Sequence, residues 1–179
     1  MKLILGISGG IAAYKTPELV RQLLKAEHQV RVVMTHSAHQ FVTPLALQAV
    51  SGHAVRSALF DSEAESAMGH IELARWADRI LIAPATAHCM AQLAAGMAGD
   101  LLTTLCLATS APLLLAPAMN RKMWQHPATQ DNVERLLERG VTMIGPAQGE
   151  QACGETGPGR MSEPAEIVSA IAVAATKTC

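Results

Sequence analysis

Short, almost unbroken apolar runs recur along this chain, each followed by a stretch long enough for a helix, and that alternation limits the folds open to it. Lys2–Ile7, Gln29–Thr35, Arg79–Ala83, Pro112–Ala116 and the short Val141–Ile144 read as strands. Helices are expected over Ile11–Ala26, Pro44–Val50, Gly69–Ala77, Ala87–Ala95, Leu101–Thr109 and Asn132–Arg139, with Pro164–Ala175 closing the series. Gly140 suits the position after a helix where positive φ is needed, and Pro164 suits a first helical turn. Strands that are apolar throughout are buried on both faces, which is the habit of a parallel sheet with helices on each side. The expected fold class is α/β: a doubly wound, Rossmann- or flavodoxin-like parallel sheet flanked by helices, as one domain over residues 1–179.

Composition narrows the partners. Half of the 179 residues are apolar and only 16 % are charged, which excludes a disordered chain. So few charges leave much surface to hide, and the Ala- and Met-rich helices suggest burial in an oligomer. The net charge is -1 and there is no basic stripe, so nucleic-acid binding has no electrostatic support. No apolar run is long enough to span a bilayer, and Met1-Lys2 leads straight into Leu3-Ile4-Leu5 without a signal peptide. A cytoplasmic protein with reduced thiols and no membrane partner is expected. Its four cysteines and seven histidines show no metal-binding spacing, so no metal site is expected either.

Ligands of doubly wound sheets bind outside the carboxyl ends of the strands. After the first strand comes Gly6-Ile7-Ser8-Gly9-Gly10-Ile11, where glycines allow a phosphate close to the backbone and a helix start supplies N–H donors. The alternative is a tight strand-to-helix turn with no ligand. The second strand ends in Met34-Thr35-His36-Ser37, hydroxyls where a dinucleotide fingerprint wants an acid for the ribose. The combination favours a mononucleotide such as FMN over NAD. Two more loops stand apart: the small acidic Asp61–Gly69, and Gly145–Glu163, rich in Gly and Pro and carrying Cys153, Arg160 and Met161. The second reads as a long loop without secondary structure, and such loops in compact domains are usually functional or disordered.

Just after a strand stands Pro117-Ala118-Met119-Asn120-Arg121-Lys122-Met123-Trp124, a P-x-M-N-x-x-M-W run. With Ser8-Gly9-Gly10-Ile11-Ala12-Ala13-Tyr14-Lys15, Gly69-His70-Ile71-Glu72-Leu73 and Ala83-Pro84-Ala85-Thr86-Ala87, it closely resembles the homo-oligomeric flavin-containing cysteine decarboxylases. Within that family the chain looks like the members acting on phosphopantothenoylcysteine in coenzyme A biosynthesis. The resemblance implies an FMN-dependent flavoprotein domain that makes phosphopantetheine. Oxidation of the substrate's CH2–SH group to a thioaldehyde creates an electron sink, CO2 leaves to give an enethiolate, and the hydride is then returned. It also implies a homo-oligomer, a trimer or a dodecamer of trimers, with FMN between subunits. A phosphopantothenoylcysteine synthetase domain or protein is the implied partner, and these residues are expected to lack that second activity.

Carried over residue by residue, the resemblance makes His70 and Cys153 catalytic, with Cys153 the proton donor for the enethiolate. Asn120 would hold the substrate carboxylate, with Ala152, Arg160 and Met161 completing the substrate site. FMN would meet Ser8, Gly9, Gly10 and Ile11 at the first turn and Thr35 and Ser37 at its phosphate. Pro84, Thr86, Ala87, His88, Cys89 and Ala118 would line its ring or ribityl side, although relatives often carry Asn or Asp where His88 stands. Plainer roles compete: a core or surface histidine, an Asn N-cap, a solvated Arg. Cys89 and Cys106, inside helices, read as buried small hydrophobes. A peptide cysteine decarboxylase, a flavin prenyltransferase or a non-catalytic regulatory relative would share much of this pattern. The joint presence of His70, Asn120, Cys153 and the long loop argues against the prenylating branch, and the full set without an acidic tail argues against the regulatory one.

Overall fold

The apolar runs assemble into one sheet. In a computed structural model that describes residues 1–59, 69–152 and 154–176, β1 (Lys2–Ile7), β2 (Gln29–Met34), β3 (Arg79–Ala85), β4 (Leu113–Pro117) and β5 (Thr142–Met143) pair in parallel in the order β2-β1-β3-β4-β5. The acidic segment 61–68 and Cys153 lie outside the described residues. The helices are α1 (Thr16–Lys25), α2 (Pro44–Ser51), α3 (Gly69–Trp76), α4 (Ala87–Ala95), α5 (Leu101–Ala108), α6 (Arg121–Gln125), α7 (Pro127–Glu138) and α8 (Pro164–Thr176).

Side chains leave a strand on alternate sides, so each central strand feeds two cores. Leu3, Leu5, Ile7, Leu81, Ala83 and Leu114 join Leu19 and Leu23 of α1, Leu47 of α2 and Ile167 of α8. Ile4, Ile80, Ile82 and Leu115 join Leu73, Met90, Leu102 and Leu136 of α3, α4, α5 and α7. Every residue of β3 is buried, as a central parallel strand requires. Gly6 interrupts β1 for a packing reason: a Cβ there would come within 2.5 Å of the Leu102 side chain, so α5 sits directly on this strand.

Three expectations change in detail. The first helical stretch opens as a 3-10 turn at Ile11–Lys15 before α1 begins, where the Thr16 hydroxyl donates to the Ala13 carbonyl at 2.7 Å. α7 starts at Pro127 rather than Asn132, because His126 caps it: its Nδ1 accepts from the Ala128 amide at 3.2 Å. Gly145–Glu163 is not a structureless loop. It holds an antiparallel ribbon of β6 (Ala147–Glu150) and β7 (Thr156–Arg160), with a register shift near its base.

Candidate functional site

Strand order reverses between β1 and β3, and the turns that follow these two strands are tied together. Ser8, 2 % exposed, donates through its hydroxyl to the Pro84 carbonyl at 2.7 Å and accepts from the Thr86 amide at 3.0 Å. Thr86 in turn caps α4, its Oγ1 accepting from the Cys89 amide at 3.3 Å. Ser8, Pro84 and Cys89 thus build the floor from beneath without lining the cavity above it. Removing the Ser8 hydroxyl leaves the part-buried Thr86 amide without this acceptor and leaves the buried Pro84 carbonyl only the Ser8 amide at 3.3 Å, a loss of about 1–3 kcal/mol. Ser8→Ala is therefore expected to lower the urea midpoint and to loosen cofactor binding, both read on the same purified protein.

Gly9 meets the end of β2 at very close range. A Cβ there would stand 2.4 Å from the Ser37 Cβ and 2.8 Å from the Ser37 carbonyl carbon, so only glycine fits. Ser37 Oγ also shares a hydrogen bond with the Thr35 hydroxyl at 3.2 Å. No described side chain caps the 3-10 turn after Gly10, which leaves its first N–H groups for a ligand. Gly9, Gly10, Ile11 and Ser37 all face a cavity of about 790 Å³, well within the range of roughly 300–1,000 Å³ typical of small-molecule sites. Thr86, Ala87, His88 and Ala118 continue the same wall.

The opposite wall is the ribbon docked on the loop after β4. Met119 donates its amide to the Gly159 carbonyl at 2.9 Å. The Gln151 side chain accepts from the Arg121 amide at 3.0 Å and donates to the carbonyls of Met119 at 3.3 Å and Pro158 at 3.2 Å. This docking brings Ala152, Arg160 and Met161 to the cavity that Asn120 also lines. Asn120 caps α6: its Oδ1 accepts from the Lys122 amide at 2.8 Å, while Nδ2 donates to Glu155 at 3.2 Å. The capping role therefore coexists with a place in the cavity, because an Asn side chain has an acceptor to spend on the helix and two donors beside it.

Cavity residues with no place among the sequence-based candidates include Lys15, Met119 and Gln151. The first two lie inside the motifs already singled out; Gln151 carries no sequence signal, since its job is to pin backbone groups. Lys15 Nζ donates to Glu163 Oε1 at 2.6 Å, and Arg160 Nη2 donates to the same oxygen at 3.1 Å. The Lys15 hydrogen bond, against some burial and with Arg160 adding to it, holds the Glu163 carboxyl below the usual carboxylate range.

His70 stands apart. It is half-buried in the first turn of α3 and does not line the cavity of its own chain. Cys89 is core: burial, then the nearby Asp100, push its thiol up to about 12, so it stays protonated and supplies backbone only. Cys106 is pushed up further by burial. Cys153 lies outside the described residues; Ala152, which precedes it in sequence, lines the cavity. Among the described residues no cluster of His, Cys, Asp and Glu could hold a metal ion, and no helix is long and apolar enough to cross a membrane.

The chain is 60 % identical over 168 residues to the coenzyme A biosynthesis bifunctional protein CoaBC of Vibrio cholerae, a match covering 94 % of this chain and 42 % of that protein. The chain thus spans about two fifths of the length of the curated relatives it matches. Among solved structures, a cysteine-to-serine mutant of a PPC decarboxylase complexed with pantothenoylaminoethenethiol superposes with a TM-score of 0.84 at 33 % identity, covering 96 % of both chains. The FMN-binding protein AtHal3 superposes with a TM-score of 0.80 at 34 % identity, covering 96 % of this chain and 95 % of that one. The flavoprotein family model matches residues 1–176, and the chain belongs to that family.

Proposed function

We propose that the chain is an FMN-dependent decarboxylase that converts phosphopantothenoylcysteine to phosphopantetheine in the cytoplasm, within coenzyme A biosynthesis. The observation that carries this reading is one cavity at the carboxyl edge of the sheet, with an anion-ready glycine turn on one wall and Asn120 and Arg160 on the other. The close approach of Gly9 to Ser37, the uncapped N–H groups and the apolar Ile11, Ala87 and Ala118 fit a flat cofactor with a phosphate tail. When bound, FMN would supply reversible acceptance of a hydride. The solved PPC decarboxylase carries pantothenoylaminoethenethiol, an enethiol of the type this sequence of steps leaves after CO2 loss.

The chain's own residues then divide the remaining work. Nδ2 of Asn120 donates to the substrate carboxylate without adding a charge that would hold CO2 back, taking the place that Glu155 now fills. Arg160 clamps the far end of the substrate from the ribbon. His70 serves the first half-reaction and Cys153 protonates the enethiolate. Because His70 is absent from its own chain's cavity, it acts from a second copy, and the cavity carries an apolar rim suited to that: Ile11 is 59 %, Tyr14 62 % and Met123 50 % exposed. A homo-oligomer built of trimers, with FMN between subunits, is the expected assembly, and a phosphopantothenoylcysteine synthetase, as a fused domain or a separate protein, the expected partner. Sedimentation as a fully active, flavin-loaded monomer would contradict the assembly.

The experiment that tests the function is direct. Purified protein reconstituted with FMN should be yellow, release FMN on denaturation, and liberate CO2 from phosphopantothenoylcysteine with phosphopantetheine as product. Turnover of a peptide with a C-terminal cysteine in its place would move the chain to the peptide branch of the family. No bound flavin after reconstitution would sink the reading.

A further inference from the structure

Lys15 is withdrawn from solvent, its side chain 12 % exposed, yet it lines the cavity wall beside Arg160. Two cations so placed repel, and Glu163 reconciles them: one carboxylate oxygen accepts from both. Glu163 itself is half-exposed and does not line the cavity, so it braces the pair from outside. The triad keeps one net positive charge, and an ammonium group retains two further donors after one is spent on Glu163. The other charged side chain on the cavity wall is the acidic Glu150, so Lys15 and Arg160 make one local positive corner. The glycine turn and Ser37 already offer a separate anion site for the cofactor.

We infer that Lys15 and Arg160 together form the subsite for the phosphomonoester end of the substrate, and that Lys15 sets the preference for a phosphorylated over an unphosphorylated pantothenoyl chain. The inference rests on the decarboxylase reading for the identity of the substrate, and on the paired cations for the site. A phosphomonoester carries close to two negative charges near neutral pH. The planar guanidinium meets two of its oxygens and the ammonium group adds a point charge, a division of labour that neither cation performs alone. Glu163 is a positioning residue, since it acts by holding the two donors side by side.

The test is binding of two unreactive probes, phosphopantothenate and pantothenate, to the FMN-loaded protein by calorimetry. Neither probe carries the cysteine, so binding is read without turnover. The wild-type protein should bind the phosphorylated probe more tightly. In Lys15→Ala the ratio of the two affinities should fall about ten- to a hundredfold, the range expected for losing a charge-assisted contact. Lys15→Arg should recover most of that ratio. An unchanged ratio in Lys15→Ala, an equal loss for both probes, or a wild-type protein indifferent to the phosphate overturns the inference. CO2 release from phosphopantothenoylcysteine is measured alongside on the wild type. Absence of CO2 with the binding ratio intact would sink the decarboxylase reading and leave the phosphomonoester subsite standing.

Discussion

His70→Asn is expected to release neither CO2 nor a dehydrogenated product from phosphopantothenoylcysteine, whereas Cys153→Ser releases CO2 once and stops at the enethiol. Loss of a positioned acid–base group slows a reaction by about 10²- to 10⁴-fold, so each variant should fall at least a hundredfold in steady-state turnover. What separates them is the kind of product. Protonating the enethiolate needs an acid, and a serine hydroxyl is far weaker than a thiol of pKa roughly 8.5. The measurement is an anaerobic single turnover with CO2 trapped, flavin absorbance followed and the thiol product identified by mass. General destabilisation cannot imitate two opposite outcomes. If Cys153→Ser forms the saturated thiol at near the wild-type rate, its assignment as proton donor is wrong.

A second large effect is expected at Gly9. The added methyl of Gly9→Ala would lie 2.4 Å from the Ser37 side chain and 2.8 Å from its backbone, and backbone cannot swing aside as a flexible side chain can. The 3-10 turn and the end of β2 must therefore separate, pulling apart the two segments proposed to meet the FMN phosphate. FMN affinity is expected to drop at least about a hundredfold, since contacts of a charged group are lost on both sides. Gly10→Ala is the control, because its methyl would meet only the Thr86 methyl at 3.3 Å, a contact that small shifts relieve. Titrating each apoprotein with FMN and following flavin fluorescence decides the matter, with circular dichroism to show that the sheet survives. Equal affinity in Gly9→Ala and Gly10→Ala would refute this account of the turn.

The sheet was legible because parallel strands buried on both faces leave little room for polar residues: Lys2–Ile7 was bounded correctly from that signal alone. Helices with clear ends were legible too, and Gly140 does adopt φ 81 after α7. The ribbon was not. Its strands read Ala-Gln-Gly-Glu and Thr-Gly-Pro-Gly-Arg, and their pairing is held by Gln151 and by backbone bonds to Met119, neither of which leaves an apolar period in the sequence. Asn120, Arg160 and the glycine turn were named from motif context, and the structure places them around one cavity. His70 was named on the same ground, but its distance from that cavity could not be read from a linear chain. Lys15 ends the Ser8–Lys15 motif, yet the motif alone does not reveal its place, because that depends on Glu163, 148 positions away.

The Ser8 hydroxyl has a bearing on the order of events at the ribosome. It ties residues 76 and 78 positions apart, Ser8 to Pro84 and to Thr86. The glycine turn precedes β3 in the chain, yet these Ser8 ties form only once β3 has emerged and paired with β1. Loop closure over such a span is slow compared with local helix formation. A nascent chain therefore carries the glycine turn without its Ser8 ties until Thr86 has emerged, and the opposite wall of the cavity comes later still, with the ribbon at 147–160. Under the proposed function, cofactor capture is expected to follow sheet assembly, and substrate capture to follow both.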